Sequence, residues 1–202
     1  MAGQTESSLD TMGPREPRAG VTLSVVIPAL NEEDGISGIL RQVLATRDAL
    51  EATGVSALEV IVVDDGSVDA TPRIVEETPG VKLIRHPVNR GYGAAIKSGF
   101  RGATGELLAF LDADSTYPPE CLPGLCAVAI REKADVVIGS RRSGAETGMP
   151  LIRRIGNLFW SSLLSLIGSE KVQDPASGMR LVWRRCLPQI YPLPDGLNFT
   201  PV

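Results

Sequence analysis

Histidine and cysteine are scarce in this chain. The one histidine is His86, and the three cysteines, Cys121, Cys126 and Cys186, contain no CxxC pair. That excludes a zinc-ligand set and an even disulfide framework, and it predicts a protein of the reducing cytoplasm. Excess positive charge is absent as well. The formal charge is −4, so no nucleic-acid partner is expected. No stretch reaches the roughly 20 apolar residues of a membrane span. The nearest, LIRRIGNLFWSSLLSLIG at residues 151–168, is interrupted by Arg153, Arg154, Asn157 and serines. The first twenty residues lack the apolar core of a signal peptide. Small, polar and proline-bearing, they read as a disordered lead-in.

What is present is enough for one domain with its own core: 202 residues, 43 % of them apolar. From Val21 the chain alternates. TLSVVIP is a β-branched run that reads as a buried strand. Asn31 is expected to cap a helix with an acidic first turn, Glu32-Glu33-Asp34. Ile36, Ile39, Leu40, Val43 and Leu44 give that helix one apolar face. LEVIVV is a second strand, and Thr71-Pro72 has the cap-then-proline form of a helix start. VKLIRH, ELLAFL and ADVVIG read as further strands. Helices are expected from Gly91 to Arg101 and over PPECLPGLCAVAIREK. Alternation at this spacing predicts an α/β fold with a mostly parallel sheet covered on both faces.

Ligands of such sheets lie beyond the carboxyl ends of the strands. Four strands here end in PALNEE, DDGSVD, DADS and GSRR, which gathers polar chemistry on one rim. Asp112 and Asp114 are two apart, so on extended backbone they share a side and can approach one divalent cation. Few, hard oxygen ligands suit Mg²⁺ or Mn²⁺, with phosphate completing the shell. The competing assignment is one helix cap and one solvated carboxylate. DDGSVD fails as a calcium loop, because Ala70 stands where glycine is needed. Asp65 could instead accept a hydrogen bond from a nucleobase ring N–H, or the loop could be a capping turn. NRGYGAAIKSG begins like a dinucleotide fingerprint, but Ile96 stands where glycine or alanine belongs, and a tight turn feeding a helix fits equally. Arg141 and Arg142 offer bidentate cations suited to phosphate. Residues 151–168 form a wide-faced amphipathic pattern, either core or a membrane-surface helix.

VVIPALNEE, IVVDDGSVDAT, NRGYGAAIKSG, FLDAD with PPE, GSR and DPASGMRL follow one another along the chain. In these motifs and their order the chain resembles the inverting GT-A glycosyltransferases of family 2. Within them it is most similar to the polyprenyl-phosphate sugar synthases, the dolichyl-phosphate mannose and glucose synthase group. The resemblance implies a GT-A (Rossmann-like) fold over residues 21–202. It implies transfer of a hexose from a GDP-mannose or UDP-glucose type donor to a polyprenyl phosphate, with peripheral contact at the cytoplasmic face of a membrane. Pro28, Leu30, Glu32, Val63 and Asp65 would hold the nucleotide. Asp112, Ala113 and Asp114 would hold the diphosphate and a Mn²⁺ or Mg²⁺ ion, and Arg141 would contact the phosphates. Leu30 departs from a frequent tyrosine, and Thr116 stands where some relatives place a glutamine. Relatives continue past the DGLNFTP region with a segment that closes over the phosphates, so the chain is expected to lack its C-terminal end.

A phosphate acceptor needs no protein base, because it is already anionic near neutral pH. No Glu-Asp pair follows residue 120, which favours such an acceptor over a hydroxyl, although Asp174 remains a candidate base. Two other classes stand beside this one. An inactive sugar-nucleotide-binding scaffold would also need the metal, whereas a dinucleotide oxidoreductase would not.

Overall fold

In the computed structural model the described residues are 20–114, 117–139 and 179–190. The chain runs β1 (Val21–Ala29), α1 (Ile36–Ala45), α2 (Arg47–Glu51), β2 (Val55–Asp64), α3 (Thr71–Glu76), β3 (Val81–Arg85) and α4 (Tyr92–Gly102). It continues through β4 (Leu107–Phe110), a 3₁₀ turn (Pro119–Cys121), α5 (Leu122–Arg131), β5 (Val136–Ile138) and β6 (Arg180–Trp183). A second 3₁₀ turn (Arg184–Cys186) leads into α6 (Leu187–Ile190).

Six strands form one sheet in the order β3-β2-β1-β4-β6-β5. The first four are mutually parallel. Strand β6 enters between β4 and β5 and runs antiparallel to both. The expected mostly parallel α/β sheet is therefore present. Sequence reading drew no strand at β6.

Period-two alternation along β1 sorts its side chains to two cores. Leu23, Val25 and Ile27 meet Ile36, Ile39, Leu40 and Val43 of α1, together with Leu122, Cys126 and Ala129 of α5. Val26 points the other way, into a cluster with Ile61, Val63, Leu108, Phe110 and the α4 residues Ala95, Ile96 and Phe100. Both faces are thus covered, and the near-continuous apolar strands follow from that.

Gly99 is where α4 comes closest to the sheet. A Cβ there would stand 2.2 Å from Val26 Cγ1. Gly99→Ala should cost about 1–3 kcal/mol through overpacking. Combining it with Val26→Ala should restore part of that loss in urea denaturation, whereas plain additivity of the two changes would show that the contact is not the cause.

Two helix starts differ from expectation. Asn31 does not cap α1, which begins at Ile36 behind Gly35 and without a side-chain cap. Asn31 instead takes a left-handed φ of 55°, a conformation that asparagine tolerates better than most residues. Thr71 lies inside α3 rather than capping it, and Pro72 occupies the first turn as expected. In each case the polar side chain was drawn from the helix end to the neighbouring loop.

Candidate active site

The loops after β1 and β2 are bound to each other across the rim. Asn31 N–H donates to Ser67 Oγ, while Val68 N–H donates back to Asn31 Oδ1 (2.9 and 3.0 Å). Glu33 N–H donates to Asp69 Oδ2, and Ala70 N–H donates to Glu33 Oε2 (3.1 and 2.9 Å). Glu32 N–H reaches the buried Thr71 hydroxyl at 2.8 Å. The acidic run expected in a helix thus serves as a two-way staple, and it turns Leu30 and Glu32 towards a cleft.

The paired aspartates of β2 divide their work. Asp64 is fully buried and structural, accepting from Ser67 N–H at 2.9 Å and from Arg85 Nε at 3.2 Å. Asp65 lies at the cleft, 4 % exposed, and its oxygens are held from within. Its Oδ1 accepts from His86 Nδ1 (2.6 Å) and Arg90 N–H (3.0 Å), and its Oδ2 accepts from Gly91 N–H (2.8 Å). His86 Nε2 lies 2.8 Å from Ser98 Oγ on α4. A buried carboxylate so surrounded is fixed in orientation and satisfied. The Gly91 amide is therefore committed to Asp65 rather than turned to a pyrophosphate, which counts against the dinucleotide reading of residues 89–99.

Beyond β4, Leu111 extends the parallel ladder by one hydrogen bond to Val26 O (3.0 Å), and the chain then turns at Ala113-Asp114. Asp112 is half-buried and Asp114 exposed. The Tyr92 hydroxyl donates to Asp112 Oδ1. Burial, and then the Asp112 carboxylate, push the Tyr92 phenol far above its ordinary value, so it stays a donor. Arg180 opens β6 beside Phe110, with its guanidinium 6.0 Å from that ring's centroid, and so brings a cation to the same rim.

One cleft of about 320 Å³ collects these groups. Pro28, Ala29, Leu30, Glu32, Asp65, Asn89, Gly91, Tyr92, Ala95, Asp112, Ala113 and Asp114 line it. Of the residues singled out in the sequence, the structure brings together Pro28, Leu30, Glu32, Asp65, Asp112, Ala113 and Asp114. Val63 does not line the cleft: its side chain, on the same face as Asp65, is fully buried against α4 one step deeper in the sheet. Arg141, Arg142, Thr116, Asp174 and residues 151–168 lie outside the described residues. Sequence reading passed over His86, Asn89 and Tyr92. The signal for them was their place inside NRGYG and just before it, a segment read only for its glycines.

The cleft is electrically negative. Burial, then Asp114 and Asp69, raise the Glu32 carboxyl above its usual range. An apolar shelf lies beside the acids, where Leu30 is 39 % exposed. Among the described residues no three His, Cys, Asp or Glu side chains converge to hold a metal ion by themselves. A cation here would need oxygens from a ligand as well. Also among the described residues, no helix is long and apolar enough to cross a membrane.

Residues 24–190 match the sequence profile of Glycosyl transferase family 2. The chain belongs to glycosyl transferase family 2. It is 36 % identical over 166 residues to a low-salt glycan biosynthesis hexosyltransferase of Haloferax volcanii, covering 81 % of this chain and 38 % of that protein. It is 31 % identical to a dolichyl-phosphate beta-glucosyltransferase of Trichomonas vaginalis (86 % of this chain, 56 % of that one). It is 37 % identical to an undecaprenyl-phosphate 4-deoxy-4-formamido-L-arabinose transferase of Sodalis glossinidius (89 % and 54 %). The chain thus spans between about two fifths and three fifths of the length of these family 2 relatives. Among solved structures it resembles glucosyl-3-phosphoglycerate synthase of Mycobacterium tuberculosis, crystallised with Mn²⁺, UDP and phosphoglyceric acid. The TM-score is 0.65 at 27 % identity, covering 85 % of this chain and 58 % of that one. The fold is that of a GT-A glycosyltransferase.

Proposed function

We propose that this chain carries the donor half of an inverting glycosyltransferase that moves a hexose from a nucleoside diphosphate sugar to a polyprenyl phosphate. The carrying observation is one cleft lined both by Asp65, just beyond β2, and by Asp112 and Asp114 from beyond β4. The names of the dolichyl- and undecaprenyl-phosphate relatives support the acceptor class.

Asp65, clamped from behind, would present its remaining acceptor capacity to a ring N–H of the base. Pro28 and Leu30 would pack against the base, and Glu32 would accept from donors nearby. Asp112 and Asp114 fit a Mg²⁺ or Mn²⁺ ion, because two carboxylates together with diphosphate oxygens make a hard oxygen shell. When bound, the cation supplies charge neutralisation at the leaving diphosphate. Ala113, a small residue between the two acids, leaves room for that group. Arg141 would contact the phosphates between donor and acceptor. The apolar pattern of residues 151–168 would serve contact with the lipid or with the membrane surface that holds it.

A second reading has its own support. The solved neighbour was crystallised with phosphoglyceric acid, which favours a small phosphorylated acceptor whose hydroxyl attacks the donor sugar as the nucleoside diphosphate leaves. Radiolabelled GDP-mannose and UDP-glucose, each offered with polyprenyl phosphate or with phosphoglycerate, separate the two. Label should enter the lipid phase in Mn²⁺ and not in EDTA. Label in phosphoglycerate alone would favour the second reading. Metal-dependent nucleotide binding with no transfer to either acceptor would leave a sugar-nucleotide-binding scaffold.

A further inference from the structure

Tyr92 stands between the two acidic groups of the cleft. It is the first residue of α4, and the two residues before it face the other way. Arg90 and Gly91 give their amides to Asp65, and Tyr92 gives its hydroxyl to Asp112. The reversal is made at Gly91, whose φ of 93° suits glycine and strains other residues. The ring of Tyr92 is fixed as well. It meets Phe110 edge-on, with centroids 6.5 Å apart and planes at 82°. Phe110 belongs to β4, two residues before Asp112, so ring and carboxylate are referred to the same strand.

We propose that Tyr92 is a positioning residue for the cation site, holding the Asp112 carboxylate in the orientation a divalent ion requires before nucleotide arrives. This rests on the reading that Asp112 and Asp114 take that ion. A carboxylate that takes an ion must be held in one orientation, and any freedom it keeps must be lost on binding. A hydrogen bond from a packed ring removes it beforehand. Neighbours that orient a metal ligand typically change metal affinity by about 10–100-fold when removed.

Tyr92→Phe keeps the ring and its packing and removes only the hydroxyl. Calorimetric titration of Mn²⁺ into the full chain with UDP, and separately with GDP, reads the effect. The variant should need about 10–100-fold more Mn²⁺. Its nucleotide affinity in EDTA should equal that of the wild type, a split that a merely structural role would not produce. Unchanged Mn²⁺ affinity would overturn the proposal. So would an equal loss in EDTA and in Mn²⁺, which would assign the hydroxyl to the base pocket. Repeating the change on Asp112→Asn gives a second reading that does not depend on one variant. There the loss of the hydroxyl should be nearly silent, and an undiminished effect would show that Tyr92 acts through something else. If the wild type itself binds nucleotide equally with and without Mn²⁺, the cation reading fails, and that result is distinct from the failure of Tyr92.

Discussion

Asp114→Ala will bind a nucleoside diphosphate no better in Mn²⁺ than in EDTA. The side chain lies at the cleft on the turn beyond β4. With Asp112 it makes up the pair of carboxylates proposed to take the ion. No third His, Cys, Asp or Glu side chain among the described residues completes the group, so losing one of two leaves little. Asp114 is exposed, so the loss should be set by the missing charged ligand rather than by desolvation: at least about tenfold in nucleotide affinity in Mn²⁺, or about 1.4 kcal/mol. Asp114→Asn, equal in size but uncharged, should behave almost as badly if charge is what matters. Calorimetry on wild type and both variants, in Mn²⁺ and in EDTA, tests it. Retention of the full Mn²⁺ advantage by Asp114→Ala would remove this residue from the ion's shell.

Asp65→Ala is expected to be the costliest single change to the fold among the cleft residues. It leaves His86 Nδ1 and the Arg90 amide without an acceptor, while the Gly91 amide keeps its second acceptor, Asn89 Oδ1 at 2.9 Å. A donor left without a partner costs about 1–3 kcal/mol, so a loss of about 2 kcal/mol or more should follow. For a chain of this size that corresponds to a fall in Tm of roughly 4–8 °C. Asp65→Asn separates binding from folding. Its one carbonyl oxygen can still satisfy part of the set, while its NH₂ opposes the rest, so a milder loss of stability is expected. If Asp65 also reads a ring N–H, nucleotide affinity in Asp65→Asn should fall about tenfold or more. Wild-type affinity for both UDP and GDP in that variant would make Asp65 a turn residue only. His86→Leu serves as the control, lowering Tm without removing the acceptor.

Much of this site could be read from the sequence because parallel strands end on one side. Once PALNEE, DDGSVD and DADS are placed after parallel strands, Leu30, Glu32, Asp65, Asp112 and Asp114 must share a rim, and they line one cleft. Apolar periodicity likewise placed α1, whose buried residues are Ile36, Ile39, Leu40 and Val43. What escaped notice depends on contacts between distant segments. Asn31 looked like a cap because local sequence offers a helix to its right. Its actual partners, Ser67 and Val68, are some 36 residues away. Tyr92 and His86 carry no motif of their own, and only the fold shows which carboxylates they hold. Strand β6 follows β5 by about forty residues of sequence and pairs antiparallel, where a strand–helix alternation suggests another parallel neighbour. Val63 was placed in the site by resemblance; it shares the face of Pro28 and Asp65 but is fully buried against α4, one step below the cleft.

The staple between the first two rim loops has a consequence for engineering and for divergence. Each loop supplies both donors and acceptors to the other, through Asn31 with Ser67 and Val68, and through Glu33 with Asp69 and Ala70. A sequence change that reshapes one loop strands hydrogen-bonding groups on its partner. The two segments therefore behave as one inheritable cassette, although more than thirty residues separate them along the chain. Transplanting PALNEE alone from a relative with another base preference would bring a loop without its counterpart, and the swap should fold properly only when DDGSVDAT is exchanged with it.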